Sequence, residues 1–376
     1  MRGKSSIVFL IIVLLSSCTI QEDFSYKEPL SWVGGLALEE EQLIRITRWK
    51  TWRTQSKIDQ TNYLDSDFWK NYGTNFRTCL FTAGKVEYSL VKLNAANEFV
   101  DAGKKQLGIS FLDLEWELQI GYEATVLKLS PKANFEQLKS FLQKNEFTEQ
   151  TKDGLSYYHL TKERRKNYQQ KSAVSLSKDD LRHFSNVYMD RKARILVISS
   201  SAEAMVASIK AHTSSTISPM VPLLDFDKIN EAFKTDCSLV LSNRQYSLKD
   251  YIGTQGAQQK LDSRCQKLFK RSYEELKALN EFELTIMGVN GVNQSAKIVV
   301  IYEEPKQAKE DHKTRELLIL EASSFLREYP WNKSYLTYID SAVKGNYLFY
   351  NFKLLEKGCL NQAVVTRDFP FLVSPN

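Results

Sequence analysis

Histidine is scarce in this chain, with four among 376 residues: His159, His183, His212 and His312. None has a second histidine or a cysteine at ligand spacing, and no His-Glu-x-x-His pair occurs, so zinc-hydrolase chemistry has no motif to stand on. The glycine signatures of other enzymes are missing as well. There is no Gly-x-Ser-x-Gly nucleophile elbow, no Gly-x-x-x-x-Gly-Lys phosphate loop and no Gly-x-Gly-x-x-Gly dinucleotide fingerprint. Gly253-Thr254-Gln255-Gly256 lacks the basic residue and the strand context that a phosphate loop needs. Beyond the first residues, no segment is apolar enough to span a bilayer. A strong charge of one sign is missing too. The formal net charge is +6, two of which come from Arg2 and Lys4, and that modest excess does not describe a nucleic-acid binder. No cofactor and no metal site is implied.

What is present begins at the N-terminus. Arg2 and Lys4 precede an unbroken apolar run from Ile7 to Leu15. That run is far short of the ~20 residues of a spanning helix and reads as the hydrophobic core of a signal peptide. Leu15-Ser16-Ser17-Cys18 follows. The two small residues admit the backbone to a peptidase, and the Cys18 thiol can carry lipid. These four residues resemble the lipobox of bacterial lipoproteins. The resemblance implies a mature chain that starts at Cys18, with a diacylglyceryl thioether and an N-acyl group. Two or more chains anchor a protein stably where one does not. Thr19, rather than Asp, follows the cysteine, which by the same resemblance implies the outer membrane. The partners expected are therefore the membrane, through Cys18, and another envelope protein or polymer.

Four cysteines remain after Cys18: Cys79, Cys237, Cys265 and Cys359. An envelope location permits disulfides, and four cysteines allow three pairings. Cys237 and Cys265 are closest in sequence and are the candidate pair, with free buried thiols as the alternative. Aromatic residues are abundant, with eighteen Tyr and twenty Phe, as β-rich structure favours.

The expected organisation is a signal peptide over 1–17, a lipidated tether over 18–35, a first domain over 36–212, a linker over 213–222 around Pro219 and Pro222, and a second domain over 223–376. Leu36 to Arg53 carries two signals. Its acidic start and basic end suit a helix, while Ile44-Arg45-Ile46-Thr47 alternates like a strand. Trp49 and Trp52, set among basic residues, could lie on lipid or pack on the body. Hairpins are expected at 76–92, 118–129, 147–160 over Asp153-Gly154, 185–199, 282–302 over Asn290-Gly291, and 336–352. Asp67 to Tyr72 reads as a short helical turn. Helices are expected from Asn134, with Gln137 completing a capping box, from Ser200, over 224–233, up to Asn280, and from Pro305. These elements predict an α+β fold: two related halves of antiparallel sheet in β-β-α-β-β-α order, with helices packed on one face.

Ala193 to Ile209, with Phe226 to Phe233 and Arg367-Asp-Phe-Pro-Phe371, resembles segments of uncharacterised secreted and lipid-anchored bacterial proteins. That resemblance implies fold and location but no activity.

One constellation points to chemistry. Asp113, Glu115 and Glu117 alternate with Leu114, Trp116 and Leu118, which at strand period places three carboxylates on one face. Paired carboxylates serve sugar hydrolysis or calcium binding. The basic stretch Lys162, Arg164, Arg165, Lys166 and Lys171 reads as a loop able to meet anionic polymers or headgroups. The reading is a lipid-anchored envelope protein with a binding, scaffolding or assembly role. The alternative is an envelope hydrolase working through the carboxylates.

Overall fold

The computed structural model describes residues 24–33, 43–55, 108–121, 124–161, 163, 185–214, 221–242, 246–248, 252, 257–291, 293–324, 329–355, 360, 363–364 and 368–374. Cys18, Cys79, Cys359, His183, the 76–92 hairpin, the 67–72 turn, the Lys162–Lys171 cations and the 253–256 glycines lie outside these residues.

Among the described residues twelve strands form one sheet, and every pairing in it is antiparallel. In chain order they are β1 (Ile44–Thr47), β2 (Leu114–Ile120), β3 (Ala124–Leu129), β4 (Thr148–Lys152), β5 (Leu155–His159), β6 (Asn186–Asp190), β7 (Ile195–Ser199), β8 (Ser238–Ser242), β10 (Leu284–Asn290), β11 (Ser295–Ile301), β12 (Leu336–Lys344) and β13 (Tyr347–Leu354). Two short strands, β9 (Tyr246–Ser247) and β14 (Val373–Ser374), pair separately and in parallel. The spatial order of the large sheet is β12-β13-β11-β10-β8-β1-β2-β3-β7-β6-β5-β4. The chain is thus mixed α+β around a large antiparallel sheet.

The helices are α1 (Lys27–Leu30), α2 (Trp49–Gln55), α3 (Phe135–Lys144), α4 (Ala202–Ser214), α5 (Phe226–Ala232), α6 (Gln258–Phe269), α7 (Tyr273–Lys277) and α8 (Pro305–Glu321). Local chemistry sets their ends. Asn134 caps α3 by accepting from the Gln137 amide at 3.1 Å. Pro305 opens α8 at its first turn, where a missing N–H costs nothing. Ser272 and Glu275 close a capping box on α7, so the helix expected to run to Asn280 is two helices broken after Phe269 by Lys270 in the left-handed region. In 36–53 the strand signal is borne out, while the acidic start of the expected helix lies outside the described residues. The alternating residues form β1, and the Trp-rich residues after Arg48 form α2.

Helices cover both faces of the sheet, which corrects the expectation of one face. Ile44 and Ile46 of β1 lie with Leu118 and Ile120 of β2, Leu239 and Leu241 of β8 and Ile286 of β10 in one core. That core is closed by Tyr26, Leu30 and Trp32 around α1, Met205 and Ile209 of α4, and Ile229 of α5. The alternate residues face the other way. Leu127 and Leu196 meet Trp49, Trp52, Leu138 and Leu142 from α2 and α3. Val240, Met287 and Ile298 meet Cys265, Phe269, Ala308 and Leu318 from α6 and α8. The reason is in the strands: β7, β8 and β10 are buried at every position, so neither side can be left to water.

The expected linker over 213–222 begins inside α4, its residues 215–220 lie outside the described ones, and the described parts on either side do not form two separate bodies. β1 pairs with β2 on one side and β8 on the other, and one core joins residues from both proposed domains. Among the described residues, β12 and β4 are the outermost strands of the sheet. A bulge at Ile339 interrupts β12, and β4 is a polar strand reading Thr-Glu-Gln-Thr-Lys; both devices discourage further pairing.

Candidate functional site

The three carboxylates of the 113–117 stretch are not assembled. Asp113 lies before β2, in a single 3₁₀ turn, where its Oδ2 accepts from the Ser110 amide at 2.8 Å and the Ser110 hydroxyl at 3.2 Å. A bulge at Glu115 then breaks the alternation between Leu114 and Trp116. Leu114 and Trp116, two apart, consequently enter opposite cores. Glu117 alone remains as a buried strand carboxyl. Its Oε2 accepts from Trp49 Nε1 at 2.9 Å and its Oε1 from Gln119 Nε2 at 2.8 Å. Burial pushes its pKa up to about 7, partly offset by those two hydrogen bonds. Among the described residues, no second acid or base is hydrogen-bonded to Glu117, whose partners are an indole and an amide.

The three described histidines each have a ring nitrogen within hydrogen-bond distance of a neighbouring side chain. His212 stacks on Trp32 with ring centroids 4.0 Å apart, and its Nδ1 lies 2.8 Å from Ser31 Oγ. The Ser31 hydroxyl already donates to the Glu28 carbonyl at 2.6 Å, so Nδ1 must be the donor and cannot take the serine's proton. His159 Nδ1 meets Asn186 Oδ1 at 2.8 Å, so it too is the donor. His312 Nε2 meets Ser341 Oγ at 2.7 Å, and the Tyr338 hydroxyl, which donates to Glu316, lies 2.8 Å from the same Oγ; this ties β12 to α8. Among the described residues no three His, Cys, Asp or Glu side chains could hold a metal ion. No described helix is long and apolar enough to cross a membrane.

Cys265 is a free, buried thiol, so the Cys237–Cys265 pairing is excluded. Cys237 is disulfide-bonded. The two cysteines belong to different cores, Cys237 beside Trp49 and Trp52 and Cys265 among the α6 and α8 contacts. Trp49 and Trp52 are themselves 1% exposed, and so pack on the body rather than on lipid.

The most elaborate polar site holds the first described residues. Phe24 to Val33 lies on the body as an integral part of the core, not as a free tether. Tyr26 and Trp32 are 1% and 2% exposed. The Tyr26 amide donates to Asn230 Oδ1 at 3.0 Å and its hydroxyl to the Phe233 carbonyl at 3.2 Å. Arg48, at the end of β1, lies under this segment. Its guanidinium sits 4.5 Å from the Phe24 ring and 5.8 Å from that of Tyr26. The same Nη1 donates to the carbonyls of Phe233, Lys234 and Asp236 at 3.3, 2.8 and 3.2 Å. These oxygens follow α5, where the dipole is negative and the last carbonyls lack helical partners. One cation therefore finishes α5 and holds the N-terminal segment. Nearby, Asp236 is buried, its Oδ2 accepts no hydrogen bond, and burial raises its pKa to about 7 against the pull of Lys297 and Arg48. Gly288 makes room for it: a Cβ there would stand 2.3 Å from Asp236 Oδ2 and from the Phe233 ring.

A second buried cation organises the far end. Arg315 of α8 donates to the carbonyls of Phe371 at 2.7 Å, Val373 at 3.1 Å and Asn280 at 2.8 Å, and pairs with Asp311 at 3.0 Å. Tyr302 completes the network, donating to Asp311 Oδ2 at 3.0 Å. Sequence reading counted Arg48 only among the basic residues of 36–53 and missed Arg315; neither lies in a motif, and the carbonyls they bind are remote in sequence.

No known protein family matches the chain, and no curated protein matches it. Among solved structures, crystal form I of TP0453 aligns with a TM-score of 0.37 at 8% identity, covering 90% of this chain and 96% of that one. At that score the likeness carries no argument.

Proposed function

We propose that the chain is a lipid-anchored cell-envelope protein, carried on Cys18, whose body has a binding, scaffolding or assembly role. One observation carries this reading. The lipobox Leu15-Ser16-Ser17-Cys18 ends six residues before Phe24, where the chain is locked into the core by Arg48, Asn230 and Phe233. A lipidated start joined so closely to a folded body suits a protein that is held at a membrane. The outer membrane is the proposed address, because Thr19 follows the cysteine. The polar contacts of Asp113, Glu117 and the described histidines tie neighbouring residues together, which suits a non-enzymatic role.

The body is also inferred to be a doubled unit. From β1 the order runs β2, β3, β7, β6; from β8 it runs β10, β11, β13, β12. In each series a hairpin is followed by a helix, α3 or α8, and a later hairpin returns its last strand beside the first hairpin. The β4–β5 hairpin is extra. The antiparallel β1–β8 pair is what a two-fold axis between the units would produce.

The test is recovery from cross-linked membranes of the lipidated protein and of a Cys18→Ala variant, read by mass spectrometry. The proposal expects a reproducible envelope protein or polymer with the lipidated form only. Recovery of nothing beyond background with either form would contradict it.

A further inference from the structure

We infer that His312, Ser341, Tyr338 and Glu316 form a directed proton relay between α8 and β12, entered from water at His312 Nδ1. Each element supplies two of the four side chains. His312 and Glu316 stand four apart on α8 and so share one face of the helix. Tyr338 and Ser341 stand three apart on β12, a spacing that would turn them to opposite faces of a regular strand. The bulge at Ile339 adds one residue to β12 between Tyr338, opposite Phe352, and Asp340, opposite Asn351. That extra residue brings Tyr338 and Ser341 to the same side, as bulges do where they re-aim a side chain.

The direction of the chain follows from counting protons. A carboxylate only accepts, so the Tyr338 hydroxyl gives its one proton to Glu316 Oε1. Burial first, and then that bond, push the hydroxyl up to about 12, so it keeps a proton to give. Ser341 Oγ lies 2.8 Å from the same hydroxyl oxygen, and with the tyrosine proton committed the serine must donate. The serine's one proton is then committed too. His312 Nε2, 2.7 Å from Ser341 Oγ, must therefore carry a hydrogen and donate it. The lone pair of the imidazole is left on Nδ1, which is neither hydrogen-bonded among the described residues nor shut away from water.

This order sets what the site can do. Ser341 and His312 stand at the distance of a nucleophile and its base, yet the serine proton points to Tyr338, so they do not form a nucleophilic dyad. The site takes up a proton instead. Nδ1 gains one from a hydronium ion, which leaves as water. Nε2 passes its own proton to Ser341 Oγ, Ser341 passes its own to Tyr338 Oη, and Tyr338 passes its own to Glu316 Oε1. One proton has entered, and every hydrogen bond remains with its direction reversed, so β12 stays joined to α8 in either state. The surrounding charges are few. Asp340 acts on Tyr338 from β12 and accepts from Asn351. Within one turn of His312 on α8, Lys309, Glu310 and Lys313 are exposed, while Asp311 and Arg315 pair with each other in the core.

The test is the tautomer of His312 in the full chain, isotope-labelled at histidine nitrogen, held in detergent at pH 8 and read from imidazole nitrogen–proton correlations. A His312→Gln chain identifies the signals. The relay predicts the Nε2–H form alone. Tyr338→Phe keeps the ring that packs edge-on against Phe352 at 6.0 Å but removes the middle link. Ser341 is then released to donate to Nε2, and the Nδ1–H form of His312 is expected to appear. A parent in the Nδ1–H form, or a Tyr338→Phe chain as purely Nε2–H as the parent, overturns the relay. The parent's tautomer decides the matter even where the variant does not fold. A fluorophosphonate probe is expected to leave Ser341 unlabelled in the parent; labelling there would make the serine a nucleophile and overturn the assigned direction.

Discussion

Glu117 and Asp236 are acids held where water does not reach, and both are pushed up to about 7 by burial. In the unfolded chain each would ionise near pH 4. Between about pH 4 and 7 the unfolded state therefore sheds protons that the folded state keeps. Stability contributed by these groups is full below pH 4, falls as pH rises through that window, and is level above it. The slope is ~1.4 kcal/mol per pH unit for each group while it lasts. Glu117→Gln keeps an acceptor for Trp49 and removes the buried charge. It should stabilise the protein by about 1–3 kcal/mol at pH 8 and change little at pH 4. Denaturant melts across pH test this, and a variant with the parent's pH slope would show that Glu117 is not the titrating group. Gly288 gives a steric counterpart. Gly288→Ala drives a methyl into Asp236 and Phe233 and should cost ~1–3 kcal/mol; an unchanged melting temperature would contradict the packing described.

Among elements, the clearest dependence is that of the N-terminal segment and α5 on Arg48. Arg48→Ala removes three hydrogen bonds to carbonyls and the cation beneath Phe24 and Tyr26, a loss of ~2–4 kcal/mol for a buried charged donor. Trypsin cleavage after the exposed Lys27 should speed up in this variant well before global unfolding, and cleavage at the parent's rate would mean the segment is held by something else. At α3 the effect is smaller: Asn134→Ala should cost ~0.5–2 kcal/mol through loss of the cap. Most of these elements are legible in the sequence. The Asp153-Gly154 hairpin, the Asn134 cap and the Pro305 start are local, and local chemistry decides them. The bulge at Glu115 is not legible, because a one-residue slip leaves the alternating pattern intact while turning Leu114 and Trp116 to opposite sides. Arg48 and Arg315 are hidden for the opposite reason, since their partners are backbone oxygens far along the chain.

At the scale of the whole molecule, the sheet is built from its middle outward. β1 supplies only four residues, yet it joins β2 to β8 and so makes one sheet out of two series of strands. Apolar runs such as Ile195–Ser199 state that a strand is buried but not that both its sides are, which is why two-sided helical cover and a shared core were not legible. The proposed anchor, by contrast, rests only on the sequence, at Leu15 to Cys18, and it gives the folded body its proposed place.

The central claim is that Cys18 carries lipid. Mass spectrometry of the N-terminal peptide, taken from protein purified out of native membranes, tests it most directly. The account predicts a chain beginning at Cys18 with a diacylglyceryl thioether and an acylated amine. An unmodified Cys18, or a mature chain that begins after it, would contradict the account.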